Sequence, residues 1–161
     1  ACDYDLPFLA KHCDVFYIGG TKVGAMIGEA VVFTGMKAPK YFFTILKRHG
    51  ALLAKGRMLG IQFDTLFTDN LYFKVSQHAI NMAVRICDIF KKHGIAIAYD
   101  SPTNQQFIVL PKRLYEALSQ KVAFEIWERK SDEEIVCRFV TSWATKEEEL
   151  DELDRILTTL C

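Results

Sequence analysis

Lys22 stands in the hexapeptide Gly19-Gly20-Thr21-Lys22-Val23-Gly24, a primary amine carried on a turn rich in glycine. A lysine that forms a Schiff base with a carbonyl needs stiff backbone and an amine aimed at one carbon, and glycine neighbours let a flat, phosphorylated ring approach the main chain closely. The hexapeptide meets each demand. Its amine would also move protons at a substrate α-carbon, because the pKa of a lysine falls where water is excluded. Thr21 would orient that amine or contact a phosphate. Spacing leaves a second reading open, that of an ordinary turn. A nucleotide P-loop is excluded, since Gly-x-x-x-x-Gly-Lys-Ser/Thr does not occur.

Other residues carry weaker chemistry. Arg138 lies in a strand-like run, where a planar guanidinium would either fix a carboxylate through two parallel charged hydrogen bonds or pair with a surface acid. Lys55 and Arg57 fall on a glycine-interrupted helical tract, as anion ligands or as solvated charges. Lys47, Arg48 and His49 precede Gly50, at a helix C-terminus that favours positive charge with or without a ligand. His12, His78 and His93 lack a second ligand at metal spacing, so no metal site is expected. Cys13 and Cys137 read as small buried hydrophobes. The acidic run from Glu147 to Asp151 complements a helix dipole, and Glu29 receives no role.

These groups must be positioned by a chain of 161 residues, half of them apolar, which is enough for one ordinary domain or two small lobes. Twenty basic residues balance twenty acidic ones without a basic stripe, so nucleic acid is not an expected partner. The five cysteines form no CxxC pair in a chain too apolar for a disulfide scaffold, which implies reduced thiols in a cytoplasm. No window approaches the ~20 apolar residues of a membrane span, and no signal peptide is visible. Starting at Ala-Cys-Asp-Tyr-Asp, the chain reads as a piece of something longer.

Asp5 and Pro7 predict a short helix to about His12, followed by a buried strand over Val15 to Ile18 and a second strand over residues 29–33. Lys22 falls in the turn between them. Tyr41 to Asp69 has apolar residues at helical spacing and predicts two helices, with glycines at 50, 56 and 60 as kinks. Leu71 to Lys92 is a cleaner helix with Val75, Ala79, Met82, Ile86 and Phe90 on one stripe and Gly94 beyond its end. Strands are then expected at Ile95–Tyr99, Phe107–Leu110, Val122–Trp127 and Ile135–Val140, with a helix over Pro111–Ser119. Thr145 and Glu148 suggest a capping box for a last helix whose apolar side is Leu150, Leu153, Ile156, Leu157 and Leu160.

The stretch Asp14-Val-Phe-Tyr-Ile-Gly-Gly-Thr-Lys22-Val-Gly-Ala-Met-Ile-Gly28-Glu-Ala-Val-Val-Phe33 resembles the cofactor-lysine segment of the threonine aldolase and aromatic amino acid β-eliminating lyase family, within the fold-type-I pyridoxal-phosphate enzymes. The resemblance continues through Lys47-Arg-His-Gly-Ala-Leu-Leu-Ala-Lys55-Gly-Arg57-Met-Leu-Gly-Ile-Gln-Phe63 to Arg138-Phe-Val-Thr-Ser-Trp143.

It implies an α/β fold, the C-terminal half of a fold-type-I enzyme. The tail of the large cofactor domain would occupy residues 1–38, a connecting helical section 39–93, and a small α+β domain 94–161. It implies pyridoxal 5'-phosphate bound covalently through Lys22, with Thr21 and Arg57, and less so Lys55, at the phosphate, and Arg138 on the α-carboxylate of an amino-acid substrate. The implied reaction is retro-aldol cleavage of a β-hydroxy-α-amino acid to glycine and an aldehyde, in a homodimer or homotetramer. β-Elimination from tryptophan-like, tyrosine-like or cysteine-like substrates remains open, as does a non-catalytic truncated module. The family's ring-stacking residue, its pyridine-nitrogen acid and most of its phosphate loop would precede residue 1, so this piece alone is expected to be inactive or severely impaired.

Overall fold

The structure is a computed structural model that describes residues 3–35 and 38–161. The chain divides into two compact units, one reaching Lys74 and the other running from Val75 to Cys161.

In the first unit, α1 (Leu6–His12) starts as its sequence predicts, with Asp5 Oδ1 accepting the Phe8 amide at 2.9 Å and Pro7 in the first turn. Strands β1 (Val15–Gly19) and β2 (Glu29–Phe33) form an antiparallel ribbon with Val15 opposite Phe33 and Gly19 opposite Glu29. The expected burial of Val15–Ile18 is overturned: no residue of β1 is buried, and Tyr17 is 71% exposed. An unbroken apolar run means that both faces of a strand are apolar, but a two-stranded ribbon cannot cover both.

Helices α2 (Phe42–Arg48) and α3 (Arg57–Phe67) follow. The glycines expected to kink them mostly bound them instead. Gly50 has φ +69° and closes α2, where the Ala51 amide donates to Leu46 O at 2.9 Å. Gly56 is the N-cap of α3, and Gly60 lies within that helix. Phe42 meets Phe33 edge-on at 5.4 Å, which ties α2 to the ribbon.

Helix α4 (Leu71–Lys92) has the predicted bounds and contributes its first turn to the first unit. Ala79, Met82, Ile86 and Phe90 are buried along its stripe, while Val75 is half-buried. The second unit continues through β3 (Gln105–Pro111), α5 (Lys112–Leu118), β4 (Glu125–Arg129), β5 (Glu134–Val140) and α6 (Glu147–Leu160). Its sheet is antiparallel in the order β3-β5-β4. Phe90, Ile108, Leu110, Leu118 and Leu157 are fully buried where α4, α5 and α6 cover it.

Three expectations shift here. Ile95–Tyr99 forms only an isolated bridge, Ile97 to Ile108, because Gln106 Nε2 donates to Ser101 O and Thr103 O and holds the intervening chain in a turn. Strand β4 starts at Glu125 rather than Val122, since the amides of Lys121 and Val122 both donate to Leu118 O and close α5. The last helix is capped one residue later than expected: Glu149 Oε2 accepts the Lys146 amide at 3.0 Å, and the Thr145 hydroxyl accepts the Ser142 amide instead. Its apolar side is as read, with Leu150, Leu153 and Leu157 buried.

Candidate functional site

Thr21–Val23 form a single turn of 3-10 helix between β1 and β2, closed by Val23 and Ala25 amides donating to Gly20 O at 3.1 and 3.0 Å. The glycines here serve the protein's own packing. A Cβ on Gly20 would stand 2.8 Å from Ala25 Cβ and 2.9 Å from Phe63 Cζ, and one on Gly28, at φ +90°, would stand 2.8 Å from Leu59 Cδ2. Both positions require close approach to α3. Gln62 adds polar ties, accepting the Met26 amide at 2.6 Å and donating to Ile27 O at 3.5 Å. Tyr72 donates to Gly19 O at 3.1 Å, and burial pushes its phenol pKa up.

The turn is therefore stiff where it touches α3, while the side chains of Thr21 and Lys22 are exposed. Backbone held on one side with an amine presented on the other is what a covalent cofactor linkage demands.

Arg57 is the first residue of α3 and is exposed. Lys55, expected on the helix, lies in the turn before it, where its carbonyl accepts the Met58 amide at 2.9 Å. The N-cap Gly56 provides no side-chain acceptor, and the Met58 and Leu59 amides bond back to Lys55 O and Gly56 O at 2.9 and 3.0 Å, so the Arg57 guanidinium is the charged group at this helix end. The amine of Lys22, the hydroxyl of Thr21 and the guanidinium of Arg57 are the kinds of group that an aldehyde carrying a phosphate requires. No hydrogen bond or ion pair joins Thr21, Lys22 and Arg57 to one another among the described residues. What relates them is that the lysine loop is fastened to the helix that Arg57 begins.

Arg138 is in β5, half-buried, in the second unit. Its Nη1 donates to Gln105 Oε1 at 3.1 Å, its Nη2 is paired with Glu125, and its guanidinium lies over the Trp127 ring at 5.6 Å from the centroid. Its Nε is buried without a partner among the described residues. Glu125, Gln105 and Trp127 were not singled out from sequence. Strand register could have found the first, because Glu125 is directly opposite Arg138 on β4.

The remaining candidates have structural surroundings. Lys47 and Arg48 end α2, exposed like His49. His78 Nε2 donates to Thr145 O at 2.7 Å and His93 Nε2 to Asp154 Oδ1 at 2.8 Å. His12 packs on Phe8, with ring centroids 4.4 Å apart. Among the described residues no group of three His, Cys, Asp or Glu could hold a metal. Cys137 is fully buried, which pushes its thiol up to about 11; Cys13 is only half-buried, short of the expected burial. Cys13, Cys87, Cys137 and Cys161 are free, and Cys2 lies outside the described residues. No helix among the described residues is long and apolar enough to cross a membrane.

No family model matches the chain. It is 28% identical over 142 residues to a low specificity L-threonine aldolase of a Pseudomonas species, a match covering 87% of this chain. A low specificity L-threonine aldolase of Pseudomonas aeruginosa is also 28% identical, over 144 residues and 88% of this chain. The chain spans about 40% of the length of these curated relatives. A solved structure of a Leishmania major threonine aldolase superposes with a TM-score of 0.91 at 35% identity, covering 98% of this chain and 46% of that one. The resemblance read from the cofactor-lysine segment and the fold-type-I α/β architecture it implied are both present.

Proposed function

From this likeness to threonine aldolases we propose that the chain is part of a pyridoxal-phosphate-dependent lyase that cleaves a β-hydroxy-α-amino acid to glycine and an aldehyde. The observation that carries the proposal is the lysine turn: Lys22 is presented on backbone clamped to α3, inside a chain that matches a threonine aldolase over nearly its whole length.

In this reading Lys22 Nζ holds the cofactor covalently. The same amine, when free, would hold or move a proton at the substrate α-carbon. Thr21 and Arg57 hold the phosphate. Arg138 holds the α-carboxylate and so fixes which bond of the α-carbon breaks. The cofactor, when bound, supplies an electron sink for the pair left on the α-carbon as the Cα–Cβ bond opens. Assembly as a homodimer or homotetramer is part of the proposal, and the exposed Phe43 and Ile45 of α2 are apolar side chains suited to a subunit contact. Aldol cleavage is preferred over β-elimination because the relatives matched are named threonine aldolases.

Pyridoxal phosphate added to the protein is expected to give a visible absorbance band that is absent in Lys22→Ala, and borohydride reduction should leave the cofactor's mass on the peptide containing Lys22. A band that persists in Lys22→Ala, or the absence of one in the unmutated protein with all upstream sequence present, overturns the proposal.

A further inference from the structure

We propose that Glu125 is an internal surrogate for the substrate carboxylate, holding Arg138 by one nitrogen until an incoming amino acid displaces it. The inference rests on the reading of Arg138 as the carboxylate ligand and concerns what that arginine does before a ligand arrives.

The guanidinium of Arg138 is held from two directions that have nothing to do with Glu125. Gln105 Oε1 accepts from Nη1 at 3.1 Å, and the Trp127 ring lies beneath the plane at 5.6 Å. These contacts leave one edge for a ligand, the edge formed by Nε and Nη2. A carboxylate placed there receives two parallel charged hydrogen bonds. Glu125 takes only Nη2, while Nε stays without a partner among the described residues and is shielded from water. The internal pair is thus half of the bond pattern that the edge offers. A buried donor left unmade favours any ligand that satisfies it.

The acid is also built to leave. All of β4 is exposed, and the Glu125 side chain is 68% exposed against 27% for Arg138. Rotating Glu125 into solvent breaks no core contact, and an exposed carboxylate recovers its hydration when it departs. Because Glu125 occupies Nη2, a second carboxylate reaches the full edge only after the first has moved. Glu125 would therefore lower the fraction of molecules competent to bind and discriminate against ligands too weak to displace it.

The test is calorimetric titration of the whole protein, loaded with pyridoxal phosphate, with glycine, comparing the unmutated protein with Glu125→Gln, Glu125→Ala and Arg138→Leu. Both Glu125 variants are expected to bind glycine about two- to five-fold more tightly, and Arg138→Leu to lose binding. Loss in Arg138→Leu with unchanged or weaker binding in both Glu125 variants overturns this inference and leaves the role of Arg138 standing. Undiminished binding in Arg138→Leu, or no binding by the unmutated protein, overturns both.

Discussion

Gln62 of α3 reaches back 36 residues to accept the backbone amide of Met26 at 2.6 Å, and so pins the far end of the loop that carries Lys22. The same side chain also bonds Ile27 O and Met58 O, so a single amide links the loop to the start of the helix. Gln62→Leu keeps the side-chain volume and removes all three bonds. It should cost about 1 kcal/mol per bond lost to the loop, seen as a lower denaturation midpoint and faster amide exchange at residues 24–28. Unchanged exchange there would show that the packing of Gly20 on Phe63 and Gly28 on Leu59 holds the loop without Gln62.

Arg57 should bind the phosphate and not the ring. Arg57→Ala is therefore expected to weaken pyridoxal phosphate about 10- to 100-fold, the range for one charged hydrogen-bonding group, and to leave pyridoxal, which has no phosphate, bound as before. Titration of both compounds by absorbance separates the two outcomes. Equal losses for the two would assign Arg57 a structural role.

Asp154 gives a pH prediction. Hydrogen bonds from Lys92 and His93 hold its carboxyl below the ordinary 3.8. A group whose folded pKa is depressed stabilises the fold above its unfolded value, and the contribution disappears as pH falls through the folded value. Asp154→Asn should therefore lower the melting temperature at neutral pH, with the difference from the unmutated protein shrinking as pH falls below about 4. A constant difference across that range would point to lost shape rather than lost charge.

Much of the second unit follows from local pattern. The long helix α4 was predictable at both ends, because a sustained 3.6-residue period and a glycine at the αL position beyond its end are short-range signals. The glycine-bounded lysine turn was equally visible, and its location between two apolar runs is what the structure contains. The exposure of β1, the short bridge at Ile97 and the late start of β4 were not predictable. Each depends on which backbone and side-chain partners lie across from the segment, and period carries no information about those.

The chemical groups of the proposed site are written in the linear order of residues: an amine on a tight bend, a guanidinium opening a helix, another in a strand. Which of them are held, and by what, emerges from contacts far apart in the chain. Phe63 and Leu59 occupy the space that side chains at Gly20 and Gly28 would need, and Gln105, Glu125 and Trp127 meet Arg138 from strands on both sides of its own. Residue type is a local property, whereas the reach of a hydrogen bond and the exclusion of water are set by neighbours that only folding assembles.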